Sequence, residues 1–125
     1  QVKINGTVDL GDEFYTFARI ASSRLEYVCP AQISDEMRNR LQEIAVKAYR
    51  CVECRDFGRV DFRVDEAGNP YVLEINPLPC LSTDDTFEMV GHALGTSYEA
   101  MVNRIVWQGL ERHGLNNGKY RESRT

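Results

Sequence analysis

The sequence has little of what marks several large classes of protein. None of its apolar runs reaches the roughly 18 residues that a membrane-spanning helix needs. Its start lacks the basic and then apolar pattern of a signal peptide. Its 15 basic residues against 19 acidic ones give a net charge of -4, which argues against a surface for nucleic acid or anionic lipid. We therefore predict a cytoplasmic protein without nucleic-acid or membrane partners.

Cysteine is also scarce. The four cysteines, Cys29, Cys51, Cys54 and Cys80, are too few for a disulfide scaffold in a chain of 125 residues. Cys51 and Cys54 form a C-x-x-C pair, which is compatible with a redox pair or with half of a zinc site, although further zinc ligands would come at irregular spacing. The favoured interpretation is reduced thiols, with Cys51 at the buried end of a helix.

What is present is the composition of one ordinary globular domain. Apolar residues make up 42% and charged residues 27% of the chain, which argues against disorder. A chain of this length can bury one hydrophobic core. Its first residues, QVKING, read as the middle of a longer protein, so we expect a piece of a larger polypeptide. Residues 113–125 are polar and predict a frayed tail.

The pattern of apolar residues predicts an α+β fold. Residues 1–11 show no clear periodicity, whereas residues 13–20 are aromatic and branched and predict a strand, and Tyr27 and Val28 predict a short extended piece. The alternating residues 59–64 and 71–75 flank the turn-rich string DEAGNP, which predicts an antiparallel hairpin.

Three helices are predicted around this hairpin, over residues 34–52, 87–94 and 97–112. Ser34 is placed to cap the first helix, with Asp35 and Glu36 in its first turn, and Gly95 is placed to close the second. Apolar residues recur at spacings of three and four. In the first helix they are Met37, Leu41, Ile44, Ala48 and Val52; in the last they are Tyr98, Met101, Val102, Ile105, Val106 and Leu110. We therefore expect an antiparallel sheet with helices 34–52 and 97–112 on its apolar face.

Two carboxylates meet in the predicted hairpin. In the simplest register Val64 lies opposite Tyr71, which places Asp61 opposite Glu74 and Arg59 opposite Asn76. Opposing carboxylates repel, so something positive must compensate them. Arg59, Arg63 or solvent could do so, and so could a divalent cation. Two carboxylates and an amide oxygen suit Mg²⁺ or Mn²⁺ better than zinc. Spacing alone leaves these alternatives open.

The string RVDFRVDEAGNPYVLEINPLPCLS resembles the metal-binding hairpin of the ATP-grasp superfamily, and within it the D-alanine–D-alanine ligase group. The stretch from YVCPAQ to the hairpin, the string DEFYTFARI and the string GTSYEAMVNRIV resemble other elements of that group in the same order. The resemblance covers about residues 13–110. It implies that residues 1–125 are a partial ATP-grasp catalytic domain.

The resemblance also implies a chemistry. Ligases of this group use ATP to phosphorylate a carboxylate, and an amine then attacks the acyl phosphate. By resemblance, Asp61, Glu74 and Asn76 hold two Mg²⁺ (or Mn²⁺) ions on the ATP phosphates, with Glu74 bridging the ions. Arg59 matches the arginine that stabilises the transferred phosphate and the oxyanion.

The loop after Asn76 departs from the family pattern. Cys80 stands where the family usually has a glycine whose backbone N–H binds the oxyanion, and cysteine retains that N–H. Asp85 falls where the family has a serine that holds the carboxylate of the second D-alanine, which an aspartate would repel. Ser82 and Thr83 lie nearby and could substitute. We therefore expect small amino-acid-like substrates, with an acceptor amine other than D-alanine.

Several parts of the family's active site are missing from this sequence. The phosphate-contacting lysines, the glycine-rich loop and most of the adenine pocket lie upstream of the hairpin in the family. We therefore expect the chain alone to be inactive. Exposed strand edges would then favour a homodimer or pairing with the missing segment. The alternative is a non-catalytic fragment or subunit that needs a partner chain for nucleotide binding.

Overall fold

A computed structural model of the chain describes residues 1–4, 6–7, 25–82 and 86–115. The described strands pair antiparallel as two separate two-stranded sheets, β1 with β2 and β3 with β4. Together with three helices they confirm the predicted α+β class. In chain order the elements are β1 (Val2–Ile4), β2 (Leu25–Tyr27), α1 (Asp35–Cys51), β3 (Arg59–Val64), β4 (Pro70–Asn76), α2 (Thr86–Ala93) and α3 (Tyr98–Arg112).

Serine side chains start two of the helices. The hydroxyl of Ser34 accepts a hydrogen bond from the N–H of Met37 at 3.2 Å, which confirms it as the N-cap of α1. The hydroxyl of Ser97 accepts one from the N–H of Ala100 at 3.1 Å at the start of α3. Each contact satisfies one of the backbone donors that a helix start leaves unpaired. The predicted helix boundaries therefore agree with the structure to within one residue.

The three described helices end in the same kind of cap, with a left-handed residue after the helix. Gly95 and Gly114 have φ angles of 67° and 66° after α2 and α3, but the equivalent residue after α1 is Glu53, with a φ of 54°. The N–H of Glu53 donates to the carbonyl of Arg50 at 3.0 Å, and the N–H of Cys54 donates to that of Tyr49 at 3.1 Å. Glu53 therefore occupies a position that favours glycine.

Replacing Glu53 with glycine is expected to stabilise the protein by about 1 kcal/mol, because a side chain disfavours the left-handed conformation. Urea unfolding of the chain and of the Glu53→Gly variant measures the difference. The matched control is Gly95→Ala, which places a side chain at the same cap position of α2 and is expected to destabilise by a similar amount. A Glu53→Gly variant no more stable than the parent would contradict this explanation of the cap.

The helices pack in two groups. α1 lies on the β3–β4 hairpin, and α2 packs against α3. The ring of Phe87 in α2 contacts Phe57, just before β3, at 6.5 Å between centroids, and Tyr98 of α3 at 6.0 Å, both edge to face. Phe87 therefore connects the base of the hairpin with the last helix.

The described part of the chain buries little apolar surface. Ile4 is its one large apolar side chain that is buried, whereas Leu73 and Leu78 are 64% and 84% exposed. The predicted apolar faces of the helices are mostly half-buried, with Val52 and Val106 exposed. The four cysteines are free. The expectation that Cys51 is buried is wrong, because the end of α1 from Arg50 onward is exposed.

The N-terminal end of the described chain differs from expectation. β1 forms where no strand is predicted, since three residues are too few to show alternation. It pairs with β2, and the N-terminal amine of Gln1 donates to the carbonyl of Val28 at 2.9 Å. The predicted strand at 13–20 lies outside the described residues, as does the tail from residue 116. Within the described ranges, the helices are too short or too polar to cross a membrane.

Candidate functional site

The β3–β4 hairpin has two registers. At its open end the predicted pairs form, with Asp61 opposite Glu74. A β-bulge then shifts the register by one residue, so the predicted pairing of Val64 with Tyr71 is wrong. The bulge leaves Leu73 as the extra residue of β4. The observed pairs are Arg59–Asn76, Val60–Ile75 and Asp61–Glu74 before the bulge, and Phe62–Val72, Arg63–Tyr71 and Val64–Pro70 after it.

Arg59 lies between the two carboxylates. Its Nε donates to Oδ1 of Asp61 at 2.8 Å, and its Nη2 donates to Oδ2 of the same carboxylate at 3.0 Å. Nη2 also lies 3.8 Å from Oε1 of Glu74. A two-point contact of this kind fixes the guanidinium plane relative to the Asp61 carboxylate. Arg59 is thus a positive group that compensates the opposing carboxylates, one of the alternatives that spacing left open.

Asn76 completes the cluster. Its Nδ2 donates to Oε1 of Glu74 at 2.9 Å and lies 3.5 Å from Oδ2 of Asp61. The hydrogen bond from Asn76 is the main cause that lowers the pKa of Glu74, followed by the contact with Asp61 and then by the charge on Arg59. The Glu74 carboxylate is therefore ionised at neutral pH. All four side chains predicted from the hairpin come together at its open end.

The opposite end of the hairpin is closed by Asp65. Its carboxylate accepts hydrogen bonds from the backbone N–H of Asn69 at 2.7 Å, from the Asn69 side chain at 3.0 Å and from the Tyr71 hydroxyl at 3.2 Å. The backbone hydrogen bond from Asn69 is the main cause that lowers the pKa of Asp65. These contacts hold the turn, so Asp65 has a structural role away from the cluster.

Two contacts that the sequence did not predict position the start of β3. The guanidinium of Arg112 at the end of α3 donates to both oxygens of Asp56, at 3.1 and 2.6 Å, and lowers the pKa of that carboxyl. A Cβ on Gly58 would lie 2.7 Å from the ring of Tyr49 and 3.2 Å from the carbonyl of Asn76. Glycine therefore allows α1 and β4 to approach the chain just before Arg59.

The predicted substrate residues lie in the loop after β4. The side chains of Cys80 and Ser82 are exposed, and Cys80 is a free thiol. Between them, the carbonyl of Leu81 accepts a hydrogen bond from the hydroxyl of Tyr98, which attaches the loop to α3. Thr83 and Asp85 lie outside the described residues. The roles of Cys80, Ser82 and Asp85 stay predictions.

The cluster contains the donors that a hard cation prefers. Among the residues that the structure describes, no three His, Cys, Asp or Glu side chains are grouped to hold a metal ion, and this includes the C-x-x-C pair. Asp61 and Glu74 instead offer carboxylate oxygens, and Asn76 has an amide oxygen. This set fits Mg²⁺ or Mn²⁺, which take oxygen ligands.

Residues 1–107 match a family model described as D-ala D-ala ligase C-terminus. The chain belongs to this family. The match begins earlier than the predicted resemblance at residue 13 and ends close to its predicted limit at residue 110. The expected likeness to D-alanine–D-alanine ligases is confirmed.

Several curated proteins are similar to this D-ala D-ala ligase C-terminal chain. The D-alanine–D-alanine ligase of Nitrosococcus oceani is 34% identical over 106 residues, which are 84% of this chain and 34% of that ligase. The ligase of Saccharophagus degradans is 37% identical over 78% of this chain and 31% of its own length. An uncharacterized protein, y4sG of Sinorhizobium fredii, is 41% identical over 62% of this chain and 23% of its own length.

A solved structure supports the same fold. The D-alanine–D-alanine ligase of Bacillus anthracis, crystallised with ATP, superposes with a TM-score of 0.63 at 24% identity. The superposition covers 70% of this chain and 30% of that ligase. The chain thus spans about a third of the length of the ligases that it matches.

Proposed function

We propose that this chain is the metal- and ATP-phosphate-binding part of an ATP-dependent carboxylate–amine ligase that acts through an acyl phosphate. The observation that carries the proposal is the convergence of Arg59, Asp61, Glu74 and Asn76 at one end of the hairpin. Membership in the D-ala D-ala ligase C-terminal family supports it.

Each residue of the cluster has a role in this proposal. Asp61, Glu74 and Asn76 would hold Mg²⁺ or Mn²⁺, with Glu74 shared between two ions. The ions would neutralise charge on the ATP phosphates and orient the transferred group. Arg59 would contact the transferred phosphate, because guanidinium is permanently charged and donates in a planar fork.

The loop after β4 would supply the substrate contacts. The backbone N–H of Cys80 would donate to the oxyanion of the tetrahedral intermediate. Ser82 would hold the carboxylate of the acceptor, while Asp85 would disfavour D-alanine at that place. We therefore propose small amino-acid-like substrates, an acceptor amine other than D-alanine, and a cytoplasmic location where ATP is available.

A second proposal is a subunit or fragment that binds nucleotide only with a partner chain or a second copy. Exposed apolar residues along β4 and just after it favour it: Tyr71, Val72, Leu73 and Leu78. Exposed apolar side chains that cluster along one strand are often covered by another polypeptide. Sedimentation at increasing chain concentration would show self-association. A monomer at every concentration would exclude the second copy, so that the proposed partner would have to be a separate chain.

Titration calorimetry with ADP tests the first proposal. The chain is expected to bind ADP in Mg²⁺ and to lose that binding in EDTA, because the cluster contacts phosphate through the cation. Binding of equal strength in EDTA would contradict a cation-mediated site. Binding that appears only after a partner segment is added would favour the second proposal.

A further inference from the structure

The arginine of the cluster and the proposed cation use the same carboxylate. Both oxygens of Asp61 accept from Arg59, at 2.8 and 3.0 Å, while the nearest oxygen of Glu74 lies 3.8 Å from the same guanidinium. Arg59 is a positive group that compensates the two opposing carboxylates. Arg59 therefore occupies the side of Asp61 that a cation between the two carboxylates would need.

The amide of Asn76 is also turned away from ligation. Its NH₂ group, a donor, faces Glu74 at 2.9 Å and Asp61 at 3.5 Å. A cation needs the amide oxygen instead. Both Arg59 and Asn76 thus donate to the carboxylates that would bind the ion, and both must release them.

We infer that Arg59 is an exchangeable internal cation: a divalent ion displaces it from Asp61, and this displacement frees the guanidinium for phosphate. The inference rests on the proposed function and concerns the regulation of the same site. Two positive groups repel when they share one carboxylate, and a divalent ion attracts the pair more strongly than a single guanidinium does. In the same step, the Asn76 amide rotates to present its oxygen.

The exchange has a consequence for the order of events. Before the ion enters, Arg59 is held by Asp61 and has fewer donors to offer to a phosphate. After the ion enters, the guanidinium can turn to the phosphate that the ion brings. The arginine is therefore made available when the metal-bound nucleotide is present, which disfavours a contact with metal-free nucleotide.

Binding of Mn²⁺ alone, followed by the electron paramagnetic resonance signal of the free ion, tests the exchange. We compare the 125-residue chain with Arg59→Lys and Arg59→Gln. Lysine keeps the charge but loses the fork. Both variants are expected to bind Mn²⁺ more tightly, Arg59→Gln by about tenfold and Arg59→Lys by a smaller factor, because a charge-assisted contact no longer competes.

Arg63 provides the matched control on the same strand. Arg63→Lys and Arg63→Gln make the same chemical changes four residues further along β3, beyond the bulge and opposite Tyr71. They are expected to change the Mn²⁺ affinity by less than about twofold, because the two-point contact with Asp61 is made by Arg59, and a charge without such a contact contributes little. Circular dichroism of each variant checks that the fold is kept.

A second readout follows Arg59 directly. In a ¹⁵N spectrum of the parent chain, the Nε–H of Arg59 is expected to exchange slowly with water and to lose this protection when Mg²⁺ is added. The exchange would be contradicted if Arg59→Lys bound Mn²⁺ no more tightly than the parent chain and the Nε–H signal of the parent did not change on addition of Mg²⁺. That result would not contradict the proposed cation site. Absence of Mn²⁺ binding in the parent and in both Arg59 variants would overturn the inference and the cation site together.

Discussion

Asp61→Asn is expected to weaken the binding of ADP with Mn²⁺ by about 100-fold or more, since loss of groups that merely support metal ligands often lowers affinity about 10–100-fold. The substitution removes the carboxylate that both Arg59 and the proposed cation use. Titration calorimetry of ADP and Mn²⁺ into the parent and the variant measures the difference.

The control for this experiment is Glu66→Gln. It removes the same charge from the exposed turn between β3 and β4, at the far end of the hairpin. Its affinity for ADP with Mn²⁺ is expected to stay within about twofold of the parent, because exposed distant charges are screened. If Asp61→Asn and Glu66→Gln bind equally well, Asp61 is not a ligand.

Phe87→Ala is expected to lower the free energy of unfolding by about 2–3 kcal/mol. This is less than the usual cost of removing a fully buried aromatic ring, because Phe87 is only half-buried. Its ring contacts both Phe57 and Tyr98, so the substitution removes the contact between the base of the hairpin and α3. Urea unfolding followed by circular dichroism measures the loss.

Leu94→Ala is the matched control for Phe87→Ala. Leu94 follows the same helix, but its side chain is 71% exposed. Its replacement is expected to change the free energy of unfolding by less than about 0.5 kcal/mol, as at other exposed positions. Equal losses in the two variants would show that the aromatic contacts do not stabilise the fold.

Local patterns predicted much of the architecture because their causes are local. Ser34 was identifiable as a cap from its own type and the acidic residues after it, and the structure shows its hydrogen bond to Met37. Alternation placed β3 over the residues where it forms. The opposition of Asp61 to Glu74 followed from those two strands, so the centre of the candidate site was accessible from the sequence.

Other features depend on contacts that no local pattern records. The bulge at Leu73 interrupts the pairing without interrupting the apolar alternation, so the pairing of Val64 was predicted one residue out of place. The ion pair of Asp56 with Arg112 joins residues 56 positions apart. The left-handed conformation of Glu53 is unusual for its residue type and follows from the cap of α1.

The roles within the site were the least accessible from sequence. The resemblance predicted that Arg59 contacts a phosphate, while simple charge compensation predicted that it contacts a neighbouring carboxylate. The structure shows the second contact, with Asp61. In the proposed exchange, the Arg59 side chain makes both contacts in turn, first with Asp61 and then with the phosphate.

In the proposed site, divalent cations join the hairpin carboxylates to a nucleotide phosphate. Pulsed electron paramagnetic resonance of Mn²⁺ with ADP and a chain carrying ¹³C in its aspartate carboxyl groups tests it most directly. We predict ¹³C coupling from Asp61, absent in Asp61→Asn, together with ³¹P coupling from ADP in the same spectrum. A spectrum with ³¹P coupling identical to that of Mn²⁺ and ADP in buffer, and without ¹³C coupling, would contradict the account.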